Sequence, residues 1–390
     1  MIGSAYHESF VYNLQVIKGA NRWRKHDLIN QEQLLAIKEV YNTPLFHPNL
    51  AIRILLFMAT LIAASGVNGL FMLFLEELGE TTLFVFFIVF GLLAFVGLEK
   101  IFIANKHFQS GVTDAITYLG CGFIIGGVGG LADFDSILLI QITCLIVFAF
   151  AAYRYLDIII TLAFVVTLAW TIFYHSYEAG GVFKSIIPFL FIITFSILYF
   201  ITRRLKKNKQ LRLWSHNLLV LESCSLLLIY AGGNYYVVRE LTVNLMDLVL
   251  QPGEDIPFAW LFYFFTISIP MVYLFAGIRS KNQILIRFGI LTVALSVATF
   301  KYYFLPDYTE VFLLIVGALS ILLAIILIRY LRQIRNGFTS NNILSSAWAD
   351  VHAEAFIISQ TLGGNQTENT VKPEAGGGGS FGGGGSTDSF

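Results

Sequence analysis

The chain has 390 residues and no net charge at pH 7; 56% of its residues are hydrophobic, 13% are charged and the mean hydropathy is +0.72. Soluble domains carry about 25% charged residues, so an ordinary soluble domain is excluded and an all-α, polytopic transmembrane bundle is expected. The neutral balance argues against nucleic acid as a partner.

Residues 1–48 are polar and mixed. No cleavable signal peptide is read there, because the first apolar run begins near Leu50. Phe10, Val11, Leu14 and Ile17 have helical spacing and predict a helix over 8–18. Asn30 with Gln33 three residues on is a capping-box pattern that opens a second helix, which Pro44 and Pro48 follow. The segment reads as a cytoplasmic helix-turn-helix. It is too short to hold a core of its own, so it is expected to pack on the membrane domain or on a protein partner.

Ten apolar segments follow within a transmembrane domain spanning 49–335: about 50–75, 82–103, 112–131, 135–153, 156–174, 185–203, 213–231, 258–278, 283–304 and 309–330. The densest basic run, Arg203 to Arg212, divides them five and five. With the N-terminus inside, every Lys and Arg except Lys184, Arg239 and Lys301 falls on the cytoplasmic side. The positive-inside rule then places both termini in the cytoplasm. The outer connection 232–257 is expected to hold a short helix over 241–250, read as a lid or as a loop lying on the bilayer. Cys121, Cys144 and Cys224 fall inside apolar segments without metal-ligand spacing and read as small hydrophobes.

Polar groups at membrane depth carry the functional expectations. Glu222 lies halfway along its segment, and a charge there costs about 2.5–3.5 kcal/mol on insertion scales. It is expected to face the bundle interior, either as a proton or cation site or as a neutral carboxyl bonded to a neighbouring helix. Asn68 is a weaker candidate for a bond across helices. Asp114 and Asp157 suit the N-terminal dipoles of their helices. Gly126, in a Gly-rich third segment, and Pro270, in the middle of the eighth, are possible helix interruptions at matching positions of an inverted 5+5 repeat. The alternative is close helix approach through Gly122-x-x-x-Gly126 and a simple kink at Pro270. His175, His216 and His352 are scattered, and no Ser/His/Asp set, zinc spacing or phosphate loop is present. No catalytic residue, cofactor or metal is therefore assigned.

After the tenth segment, residues 336–362 read as a cytoplasmic amphipathic helix suited to protein docking, with Trp348 on its apolar face. Residues 363–390 form a Gly-rich tail expected to be disordered, bearing Phe381 and ending at Phe390. The ending is similar both to an engineered flexible linker and to the natural tails of some bacterial membrane proteins. Trp23, Trp348, Phe381 and Phe390 are the partner-docking candidates.

The stretch Asn21-Arg22-Trp23-Arg24-Lys25-His26-Asp27-Leu28-Ile29-Asn30-Gln31-Glu32-Gln33 resembles the opening of an uncharacterised bacterial family of multi-pass membrane proteins. Those begin with a Trp, then Gly-Leu-Ile, then a helix bearing Glu-Gln; Asp27 stands here in place of the Gly. Thr113 to Gly120 resembles a short membrane motif of the same relatives. The resemblance covers two short stretches and implies a bacterial inner-membrane protein without a stated chemistry. Two functions are carried forward. One is a non-enzymatic scaffold or membrane subunit docking partners through its cytoplasmic ends. The other is a secondary transporter with a midplane site near Glu222.

Overall fold

The computed structural model describes residues 3–75, 79–244 and 254–304, with single helical positions between 314 and 329. Two short helices come first, α1 (Glu8–Lys25) and α2 (Gln31–Val40). They are followed by α3 (Leu50–Leu75), α4 (Glu80–Gly97), α5 (Val112–Leu131), α6 (Ile137–Tyr155), α7 (Ile158–Glu178), α8 (Val182–Leu205), α9 (Ser215–Gly233), α10 (Tyr235–Asn244), α11 (Ala259–Ser280) and α12 (Gln283–Phe304). A π-helical turn, Leu98–Ile103, prolongs α4, and a 3-10 turn, Lys209–Trp214, leads into α9. Among the described residues the architecture is an all-α bundle, with an isolated bridge between Phe46 and His107 in place of any sheet. Nine helices there are long and apolar enough to cross a membrane. The protein is a multi-pass membrane protein whose apolar helix faces contact lipid. The expected tenth segment, the 336–362 helix and the Gly-rich tail lie outside the described stretches, apart from the scattered helical positions.

Two boundaries differ from expectation. α1 runs on to Lys25, with Glu8 in its first turn and Arg22, Arg24 and Lys25 in its last, charges that complement the helix dipole. The helix expected at 241–250 instead starts at Tyr235, because Tyr235 and Val238 are buried against Ile256 and Phe262. α10 is therefore packed into the bundle at its start rather than resting over it.

The capping box that opens α2 is formed. Gln33 N donates to Asn30 Oδ1 at 2.8 Å, and Asn30 N donates to Gln33 Oε1 at 2.9 Å. α1 packs on one end of the bundle, the end that carries the basic run. Val11 and Ala20 are buried, Ala5 N donates to Arg154 O at 2.9 Å, and the Arg212 guanidinium sits 4.8 Å from the Tyr12 ring.

α5 and α9 are the two most buried spans. α5 packs on α3, α4 and α6; α9 packs on α7, α8 and α11. Each central helix is thus the third span in a run of four. Sequence follows the same period: Asn105-Lys106, Asp114, Cys121 and Gly129-Gly130 recur at one constant spacing as Asn208-Lys209, Asn217, Cys224 and Gly232-Gly233. The helices that open successive runs, α3, α7 and α12, are all entered through an Asx residue that accepts a backbone N–H. Ile52 N donates to Asn49, Ile160 N to Asp157 and Ile284 N to Asn282, at 2.8–2.9 Å. Leu156 and Lys281, just before two of these caps, share the left-handed conformation. A four-span period keeps successive units in the same orientation, whereas the 5+5 plan would invert them.

Neither α5 nor α11 is interrupted. α5 is continuous through its glycines, and α11 is continuous through Pro270. The carbonyl that Pro270 leaves without an N–H partner, on Thr266, accepts the Ser296 hydroxyl of α12 at 2.6 Å. The close approach of α4 and α5 does not use Gly122 or Gly126, beside which there is open space. It uses Gly91, Gly120 and Gly127; a Cβ on Gly127 would lie 2.7 Å from the Phe84 carbonyl oxygen.

Candidate functional site

The buried stripe of α9 runs through Leu218, Glu222, Ser225, Leu226, Ile229 and Gly233, a spacing of three and four that puts all of them on one face. Glu222 is 1% exposed. It lies two turns inside α9, roughly 10 Å from the helix start. The basic end reaches it from two directions. Lys206, at the C-cap of α8, turns its ammonium back onto Glu222 Oε2. Asn282, in the turn before α12, donates to Oε1 at 3.2 Å. Asn282 is itself fixed, since its N–H donates to Gly277 O at 3.0 Å and its Oδ1 accepts Ile284 N at 2.9 Å.

The pairing gives the buried Glu222 carboxyl a cation on one oxygen and an amide donor on the other. The Lys206 side chain keeps 26% of its surface exposed, so the cation bridges water and a buried acid. A second tie draws the same helices together: Tyr273 Oη on α11 donates to Leu226 O at 2.9 Å. An apolar groove of about 300 Å3 lies beside the pair. Tyr153, Phe164, Leu205, Trp214, Leu218 and Leu221 line it, and Glu222 does not.

Further ion pairs lie at the same end. Arg154 clasps Glu99 through two nitrogens, each at 2.8 Å, and donates to Gly3 O at 2.6 Å. Arg53 Nε contacts Asp114 Oδ2 at 2.6 Å, and Gly111 N donates to the same oxygen at 3.2 Å. Gly111 has φ +88 and packs directly on the Arg53 carbonyl, so a side chain is barred there by both backbone and space. Asp157 caps α7 and accepts Tyr118 Oη at 3.1 Å, while Asn217 Nδ2 donates to Asp157 O at 2.9 Å and to Thr161 Oγ1 at 2.7 Å. Asp114 and Asp157 thus sit at helix starts and bond backbone N–H groups there, as their positions in the sequence suggest.

The other candidates are dispersed. Asn68 is half-buried on α3, and its Oδ1 has no hydrogen-bond partner among the described residues. Gly126 faces open space, and Pro270 is buried within α11. Trp23 is 39% exposed on α1. Trp348, Phe381 and Phe390 lie outside the described residues. The partners of Glu222 were not singled out by sequence: Lys206 is hidden in a basic run that reads as a solvated loop, and Asn282 reads as a turn residue. The signal available for Asn282 was its place immediately before an apolar segment, the position of an N-cap. Among the described residues no group of three or more His, Cys, Asp or Glu is placed to hold a metal.

Comparison with known proteins gives no match, whether by family model, curated sequence or solved structure. The family resemblance of Asn21 to Gln33 and Thr113 to Gly120 therefore rests on those two stretches, and the membrane class rests on the apolar helices.

Proposed function

We propose that the protein is a proton-coupled secondary transporter of a bacterial inner membrane, with both termini cytoplasmic, and that the Lys206–Glu222 pair is its releasable inner latch. The observation that supports this is a fully buried carboxylate whose counter-ion comes from a solvent-reaching lysine on another helix. Protonating Glu222 removes the charge that holds Lys206, which then extends into water and unties the end of α8 from α9. Intramembrane carboxylates with a named partner are functional candidates on physical grounds. The orientation is supported by the basic run Arg203 to Arg212, which lies at the Lys206 end.

The test is proton entry into pyranine-loaded liposomes under an inside-negative potential. The wild-type protein is expected to acidify them faster than Glu222→Gln does; equal rates sink the transport reading. Orientation is checked with reporters fused at residue 254 and after Phe390, which should work only in exported and cytoplasmic forms respectively.

A second reading, a docking or scaffold role, is supported by a separate observation. Trp23, Leu28, Leu35 and Val40 are exposed on α1, α2 and their connection, outside every span, with Val40 75% exposed. Substituting Trp23 and Val40 by Ser should then strip a co-purifying protein while leaving proton entry unchanged.

A further inference from the structure

α1 carries Lys18 and Arg22 one turn apart, at the end of the bundle that holds His47 and Arg212. Lys18 Nζ donates to His47 Nε2 at 2.9 Å, and His47 Nδ1 donates to Phe108 O at 3.2 Å. That arrangement fixes the neutral His47 tautomer with its proton on Nδ1. Arg22 and Arg53 lie within electrostatic reach of Lys18, and Lys18 and Arg22 lie within reach of His216 at the start of α9. Each of these basic groups, from α1, the α2–α3 connection, α3 and α9, lies within electrostatic reach of Lys18.

Negative charge there is scarce. Asp114 is the carboxylate within reach of His47, and Arg53 Nε and Gly111 N–H already occupy its Oδ2. Burial, together with Arg53 and Arg22, holds the Lys18 ammonium down at about 8. The cluster also sits beside lipid. Arg53 is in the first turn of α3, and its neighbours Ile52, Ile54 and Leu55 are exposed apolar side chains of a spanning helix. Basic pockets at the water-facing ends of spanning helices are suited to anionic headgroups, and a guanidinium matches phosphate geometry through paired N–H donors.

We propose that Lys18, Arg22, Arg53 and His216 form a binding site for the phosphate of an anionic phospholipid, with α1 as its cover and the lipid-facing side of α3 beside the acyl chains. The site is independent of the Lys206–Glu222 pair and uses none of its residues. Lys18 and Arg22 supply the charge and donors that are not tied to a carboxylate among the described residues. Arg53 is shared with Asp114, and His216 supplies a ring N–H.

The experiment uses the full chain in neutral detergent, with lipid binding read by native mass spectrometry and by thermal midpoint. The probes are phosphatidylglycerol, phosphatidylcholine and inorganic phosphate. Phosphatidylglycerol should bind and raise the midpoint, and phosphatidylcholine should do neither. Each of Lys18→Gln and Arg22→Gln should weaken phosphatidylglycerol roughly fivefold, and the double variant roughly 30-fold. Arg22 is exposed, Lys18→Gln keeps a donor for His47, and the unliganded thermal midpoint of each variant checks the fold; Arg204→Gln/Lys207→Gln in the exposed basic run serves as the control that leaves affinity unchanged. An equal midpoint rise with inorganic phosphate alone would overturn the lipid assignment in favour of a free anion. Unchanged phosphatidylglycerol affinity in the double variant, or an equal loss in the control, would overturn the site.

Discussion

The Ser296 hydroxyl donates to the Thr266 carbonyl at 2.6 Å, and that carbonyl is the one Pro270 deprives of its helical N–H partner. The proline in α11 and the serine in α12 are two halves of one device, which removes a bond within a helix and replaces it with a bond between helices. Because the serine proton goes to carbonyls, the Tyr230 hydroxyl donates to Ser296 Oγ at 2.9 Å and accepts from Asn234 Nδ2 at 2.8 Å. The chain of bonds joins α9, α11 and α12. Ser296→Ala should cost about 0.6–1.7 kcal/mol, the range for bonds between membrane helices. In a Pro270→Ala background the restored N–H can serve Thr266, so the cost should shrink. Equal costs in the two backgrounds, measured by unfolding in detergent, would show that the two positions are not coupled.

The glycines of α5 make a paired prediction. Gly126→Ala adds a methyl to open space and should leave the thermal midpoint unchanged. Gly127→Ala drives a Cβ to 2.7 Å from the Phe84 carbonyl oxygen and 3.0 Å from Ile88 N, both backbone atoms of α4. It should cost about 1–3 kcal/mol, the usual range for overpacking. The reverse order would restore the Gly122/Gly126 face as the contact.

These residues show what the sequence could and could not reveal. Spans were legible because about 20 apolar residues in a row have few other uses, and the limits of α5 and α12 agree with expectation. The Asn30–Gln33 box was legible because capping chemistry is local. The glycine contacts were not, because an all-apolar helix has no polar face to mark its outside, and six glycines fit more than one stripe. α10 was misplaced because its most apolar stretch, after Leu241, drew the assignment away from Tyr235 and Val238, which the fold buries. The four-span period was present in the sequence too. Its identities, such as Cys121 with Cys224, are sparse among interchangeable apolar residues until contacts show which helices correspond. For Glu222 the residue type and its inward face were legible. Its partners were not, since a lysine that folds back into a bundle has the same sequence context as one that points to water.

His47 sets a pH dependence outside the spans. Burial and the nearby Lys18 ammonium push its pKa down from 6.5 to about 4. The unfolded chain therefore takes up a proton at a pH where the folded chain does not. Stability from this group is fully present above pH 6.5 and is lost as pH falls from there towards 4. His47→Asn keeps a donor for Phe108 O but cannot titrate. The drop in thermal midpoint between pH 7 and pH 5 should be smaller in that variant than in the wild type. An unchanged drop would assign the acid sensitivity to other groups.

The Lys206–Glu222 pair makes the last prediction, which turns on the unequal exposure of its partners. Removing one member of a buried ion pair is costly when the other is stranded, and much less so when the other can return to water. Glu222→Gln leaves Lys206 partly exposed and free to extend, and the amide oxygen still accepts from Asn282. It should therefore cost little. Lys206→Met instead leaves the Glu222 carboxylate buried with Asn282 alone, and should cost about 3 kcal/mol or more at neutral pH. Adding Glu222→Gln to Lys206→Met should recover part of that loss. The measurement is detergent unfolding of the two single variants and the double variant. Equal losses in the two single variants, or a double variant no more stable than Lys206→Met, would mean that Lys206 does not offset a buried carboxylate at Glu222, and the latch would fail with it.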